Sequence, residues 1–136
     1  MIRPFDKIEI EFIEHSRQRY PTCGDWRIVH GMADEKVMLI SVSRVGDWRS
    51  EALVALHELS ELIMCQANGI TPEMVDSFDM AYESARKPGD ESEPGDQKAA
   101  PYFTQHGLAT AIERMAATQM GIAWPEHEER IGSIFE

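Results

Sequence analysis

Val37-Met38-Leu39-Ile40-Ser41-Val42-Ser43-Arg44-Val45 runs into Gly46-Asp47-Trp48-Arg49-Ser50, and then into Glu51-Ala52-Leu53-Val54-Ala55-Leu56-His57-Glu58-Leu59-Ser60-Glu61-Leu62-Ile63. Val37, Leu39, Ser41, Ser43 and Val45 fall on one side of an extended chain; Met38, Ile40, Val42 and Arg44 fall on the other. A two-residue period is the mark of a strand, and the near-continuous apolar start suggests burial on both sides. Gly46 to Ser50 breaks the strand and offers Asp47 or Ser50 as a helix N-cap. The spacing then predicts a helix from about Glu51 to Ala67, stopped by Asn68-Gly69.

Upstream, Lys7 to Glu14 alternates, with Ile8, Ile10 and Phe12 on one face and Glu9, Glu11 and Ile13 on the other. Trp26 to His30 is a short strand candidate between the turn-rich stretches 20–25 and 33–35. Downstream, Thr71-Pro72-Glu73 restarts a helix, with an N-cap, a proline at the first position and an early acid. That helix runs to about Ala85. A proline-, glycine- and acid-rich loop at 86–100 follows, expected to be mobile or functional. A third helix spans about Phe103 to Met120 and ends at Gly121. The tail from Trp124 gives no clear period. The expectation is one α+β domain over 1–136: a small antiparallel sheet of about three strands packed on three helices.

The 136 residues carry 13 Lys plus Arg against 24 Asp plus Glu, a net charge of −11. That balance argues against nucleic acid or an anionic membrane as the main partner, since both reward clustered basic residues. No apolar run approaches the length needed to span a bilayer. Arg3, Asp6 and Lys7 leave no room for a signal-type apolar segment at the start. Cys23 and Cys65 are too few for a disulfide framework. Two reduced thiols in a cytoplasmic protein is the expectation.

The chemistry concentrates at 57–61. His57 and Glu61 are four residues apart, so they project on one helix face, about 40° apart. Two ligands so placed can grip one metal ion without bending the backbone. The helix is apolar on two sides, which puts it inside the domain. A His and a carboxylate facing inward are costly unless they pair or bind a metal. Glu58 lies to the side, able to reach a water or to face solvent.

The strand at 37–45, its turn and the helix bearing His57-Glu58-Leu59-Ser60-Glu61 resemble the core of zincin-like metallopeptidases, and in particular short phage-encoded proteins with that core. The resemblance covers residues 37–61. In zincins the helix reads His-Glu-x-x-His; the first His binds zinc and the Glu activates a water. The resemblance therefore implies a metal-ligand role for His57 and a catalytic role for Glu58. Glu61 stands where the family has its second His. A carboxylate there still suits zinc and also admits manganese or magnesium. The third ligand is expected from His106 first, Asp79 second and Glu113 third. The implied activity is hydrolysis of a peptide or protein substrate, with the strand at 37–45 offering its edge to an extended chain.

Other readings attach to the same residues. His57 and Glu61 could form a buried hydrogen-bonded pair that fixes packing. Glu58-Leu59-Ser60-Glu61 with Asp76-Ser77-Phe78-Asp79 resembles the paired acidic motifs of magnesium-dependent helical nucleotide pyrophosphatases, although a β-rich first third speaks against an all-helical family. Asp76, Asp79 and Glu83 also fit an acidic surface stripe. A non-catalytic phage protein could bind a host protein through the loop at 86–100. His15, His30 and His127 read as surface residues; Trp26, Trp48 and Trp124 read as core or rim anchors, and Cys65 as packing.

Overall fold

The structure, a computed structural model, describes residues 2–135; Met1 and Glu136, the two ends of the expected domain, lie outside that range. Three strands are followed by four helices: β1 (Lys7–Ile13), β2 (Gly24–His30), β3 (Lys36–Ser43), α1 (Trp48–Ala67), α2 (Pro72–Ser84), α3 (Phe103–Gln119) and α4 (Trp124–Gly132). The α+β expectation holds, with one more helix than expected and a mixed sheet instead of an antiparallel one. The strand order is β1-β3-β2, with β1 parallel and β2 antiparallel to β3.

That order follows from apolar content. β3 has the most apolar run, and it takes the central place, where both edges and both faces are covered. Met38, Ile40 and Val42 are fully buried on the helix side, and Val37 is 3% exposed on the other. Full burial of each of these side chains stabilises by about 1.5–3 kcal/mol. On the far face, Glu11 accepts a hydrogen bond from the Ser41 hydroxyl at 2.7 Å, and His15 Nδ1 meets the Ser43 hydroxyl at 2.9 Å. His15 is thus half-buried, where the sequence suggested surface. β1 carries Glu9 and Glu11 and sits at an edge, where charge discourages further strand pairing. Its Ile10 and Phe12 are largely exposed.

Helix α1 begins three residues before the expected Glu51 because Asp47 caps it. The Asp47 carboxylate accepts from the Arg49 N–H at 2.9 Å. Glu51, in the first turn, accepts from the Val45 N–H at 2.9 Å and ties the helix start to the end of β3. At the far end, Gly69 takes φ +71°, and the Ile70 N–H returns to the Cys65 carbonyl. Thr71 caps α2 by accepting from the Met74 N–H, as its sequence predicts. Trp48 lies on the exposed side of the first turn of α1, 72% accessible, and is not a core anchor.

Helix α1 lies between the sheet and α3. Val54, Ala55, Leu62 and Cys65 pack toward the strands, while Leu53 meets Ala117 and Ile122 at the end of α3. The helix is therefore enclosed on two sides, as its two apolar faces require. His57, Glu58 and Glu61 lie in that buried middle. Helix α4, which the sequence left unassigned, folds back against α1 and α3.

Candidate metal centre

One turn of α1 aims His57 and Glu61 at the same point, and α3 brings His106 to meet them. His57 Nε2 lies 3.2 Å from Glu61 Oε2 and 3.3 Å from His106 Nδ1; His106 Nδ1 lies 3.0 Å from Glu61 Oε2. These three edges form a near-equilateral triangle. Four ligands at about 2.1 Å around a tetrahedral ion stand about 3.4 Å apart, so the triangle matches one face of such a coordination shell and leaves the fourth position open. All three residues are buried. This cluster can hold a metal ion. The structure thus brings together His57, Glu61 and His106, the three residues that the sequence ranked first.

Each of the three has an orienting neighbour. The Trp26 indole N–H donates to Glu61 Oε1 at 2.9 Å, leaving Oε2 for the cluster. Glu113 Oε1 meets His57 Nδ1 at 2.9 Å, leaving Nε2 for the cluster. A carboxylate behind a histidine ligand fixes its tautomer and its ring plane. Glu113, ranked third, thus meets His57 on the nitrogen turned away from the cluster and is not one of the three converging residues. Its other oxygen meets His127 Nε2. His127 is fully buried on α4, against the expectation of a surface residue. The Gly95 backbone lies against the His106 ring: a Cβ at that position would come within 2.5 Å of Nδ1.

Asp79, ranked second, is near but engaged elsewhere. Its two oxygens accept from the Tyr20 and Tyr102 hydroxyls, and it is not one of the converging atoms. Asp76 is held by Arg19 at 2.8 and 3.0 Å. Both acids of the second pyrophosphatase-like motif, Asp76 and Asp79, are thus committed to other partners.

The electrostatics follow from burial and pairing. For His57 burial favours the neutral ring, but the contacts with Glu113 and Glu61 outweigh it and hold the pKa well above the ordinary 6.5. For His106 burial is again opposed, by Glu61 and Glu93, and the pKa rises to about 10. Glu61 is buried, yet the two imidazoles hold it down to about 2. The carboxylates around the two rings thus favour positive charge at this place, carried as ring protons that a bound cation would have to displace.

Glu58 differs from its neighbours. It is buried at 9% exposure rather than solvated, and burial followed by the charge of Glu61 pushes its carboxyl well above the usual range. The carboxyl thus keeps its proton to a higher pH than a solvated one does. Space for it depends on Gly24 at the head of β2, where a Cβ would fall 2.5 Å from Glu58 Oε1. Glu58, His57, Glu61, His106, Trp26 and Tyr20 share the wall of one cavity of about 90 Å³.

Two acids of the loop at 86–100, which the sequence did not single out, come to the site. Glu93 Oε2 and Asp96 Oδ1 lie 3.0 and 3.2 Å from His106 Nε2, on the far side of the ring from Glu61. No periodicity announces them, because a short 3-10 turn at Pro94–Asp96 places them. Comparison with family models, with curated proteins and with solved structures finds no match to this chain.

Proposed function

We propose that the chain is a metal-dependent hydrolase with a zincin-like core, in which His57 Nε2, Glu61 Oε2 and His106 Nδ1 hold one divalent ion. The observation that carries this reading is the triangle of ligand atoms with edges of 3.0, 3.2 and 3.3 Å. Two imidazoles and one carboxylate suit zinc first, with manganese or magnesium as weaker alternatives. When bound, such an ion would supply Lewis-acid polarisation of a carbonyl and acidify a water. Glu58 would accept the proton of the attacking water as its oxygen bonds to the carbonyl carbon, and would pass that proton to the amine as the C–N bond breaks. Trp26 and Glu113 hold Glu61 and His57 in register throughout.

The substrate is a peptide or other amide. The strand that can offer an edge to it is β2, not the β3 that the resemblance suggested, since both edges of β3 are paired. The Ser43 N–H donates to the Cys23 carbonyl and the Gly31 N–H to the Glu35 carbonyl. In that register, the odd-numbered residues of β2 bond to β3. The even-numbered ones, Trp26 and Ile28 among them, turn their N–H and C=O groups outward beside the cavity. An extended peptide could add there as a further strand. Two buried free thiols, Cys23 and Cys65, fit a reducing cytoplasm, and a short phage-encoded enzyme is the kind of protein the core resembles.

The test uses zinc-loaded protein and a quenched-fluorescent peptide pool. Cleavage is expected in the wild type and reduced about 10²- to 10⁴-fold in Glu58→Gln, with metal content unchanged. Equal cleavage by the two proteins would remove Glu58 from the chemistry. Absence of cleavage across the pool, with metal bound, would favour a non-catalytic protein on the same fold.

A further inference from the structure

The far side of His106 has a feature that the first centre does not use. His106 is 6% exposed, and its Nε2 has no hydrogen-bond partner although it is buried. Glu93 Oε2 and Asp96 Oδ1 stand 3.0 and 3.2 Å away, within ion-pair range but off the line of an N–H bond. These three atoms lie within 4.8 Å of one another.

We propose that Glu93, Asp96 and His106 Nε2 form a second, outer site for a divalent cation, with the His106 ring shared between the two sites. It goes beyond the hydrolase reading and depends on it only for the shared ring.

The surroundings fit a cation. A cavity of about 310 Å³ adjoins the cluster, with Glu91, Glu93, Asp96 and Glu128 on its wall and Arg114 as its one basic lining residue. That volume accommodates an ion with several waters, as a site with three protein ligands requires. The Glu93 and Asp96 side chains are 49% and 62% exposed, so the carboxylates can adjust to an ion from solvent. One imidazole with two carboxylates selects zinc or manganese over calcium. The backbone is preformed for it: Gly95, between the two acids, packs on the ring where a Cβ would be only 2.4 Å from His106 Cγ. The strap is anchored at its near end by Arg86, which donates to Glu83 and to the Asp90 carbonyl.

An ion on Nε2 needs that nitrogen's lone pair, so any proton there leaves to solvent. When both sites are filled, the ring bridges them as an imidazolate. The outer ion therefore binds more weakly than the inner one.

The test is calorimetric titration of metal-free protein with zinc alone, and with manganese alone in parallel. Wild type is expected to bind two ions per chain, one tight and one weaker. Glu93→Gln with Asp96→Asn, both at exposed side chains, is expected to lose the weaker event and keep the tight one. Glu61→Gln is expected to lose the tight event and keep the weaker. One ion in wild type, kept unchanged by the loop variant, overturns the outer site and leaves the inner one standing. One ion lost in the loop variant but kept in Glu61→Gln overturns the inner site and leaves the outer. A single event weakened in both variants overturns the existence of two separate sites. No binding in wild type overturns both.

Discussion

At the residue scale, function rests on which atom of each side chain is free. Glu61 has one oxygen held by Trp26 and one turned to the cluster. His57 has one nitrogen held by Glu113 and one turned the same way. Glu113→Gln keeps the shape but loses the carboxylate behind the ring, so metal affinity is expected to fall about 10- to 100-fold. Competition with a chromogenic chelator measures this; unchanged affinity would show that Glu113 serves packing alone. Asp79 gives a separate test through pH. Burial, with the charges of Glu61 and Asp25 adding, outweighs its two tyrosine contacts and raises its carboxyl from 3.8 to about 7. The folded chain thus holds this proton more tightly than the unfolded chain, so stability falls as pH rises from about 4 to about 7, and the penalty is complete above that. Asp79→Asn removes the dependence. Relative to wild type, the metal-free variant is expected to gain on the order of a few kcal/mol between pH 4 and pH 8, read from urea midpoints. A constant difference at the two pH values would refute the assignment.

At the element scale, the site is a meeting of α1, α3 and the head of β2, and the sequence told these apart unevenly. The four-residue spacing of His57 and Glu61 is a local property of one helix, so it was legible at once. His106 could be ranked first only as a residue near the start of a later helix; its approach is set by the packing of α3 on α1. Glu113 shares its face seven residues on, yet one more pair of helix turns carries it behind His57 instead of beside it. Glu93 and Asp96 were unreadable, because irregular backbone has no period. The α+β class was legible from the change of period after Val45, whereas the parallel pairing of β1 was not, because alternation reveals faces and not neighbours. The position of β2 also depends on a half-buried ion pair. Arg19, just before β2, binds Asp25 at 2.6 and 2.9 Å and reaches across to Asp76 on α2. Arg19→Ala leaves Asp25, 6% exposed, without its partner, and is expected to cost about 3–5 kcal/mol. Chemical denaturation checks this, and a loss under about 1 kcal/mol would mean that water replaces the guanidinium.

At the scale of the whole molecule, the net charge of −11 is distributed with consequence. Among the described residues no helix is long and apolar enough to cross a membrane. The buried acids divide into those already paired within the chain, such as Asp25, and those gathered around two imidazoles. The second group has a cation as its natural complement, and the strap at 86–100 adds Glu93 and Asp96 to the same ring. A three-stranded sheet and four helices thus enclose a cluster in which Trp26 holds Glu61 and Glu113 holds His57, with His127 in turn against Glu113. The most direct test is the zinc content of protein loaded with zinc and then dialysed to remove weakly held ions, measured by elemental analysis for wild type beside His57→Ala and Glu61→Gln, each confirmed folded by circular dichroism. The expected result is about one tightly held ion per wild-type chain and almost none in either variant. Wild type without metal, or variants that retain it equally, would reduce His57, Glu61 and His106 to a hydrogen-bonded packing cluster and contradict the metal centre.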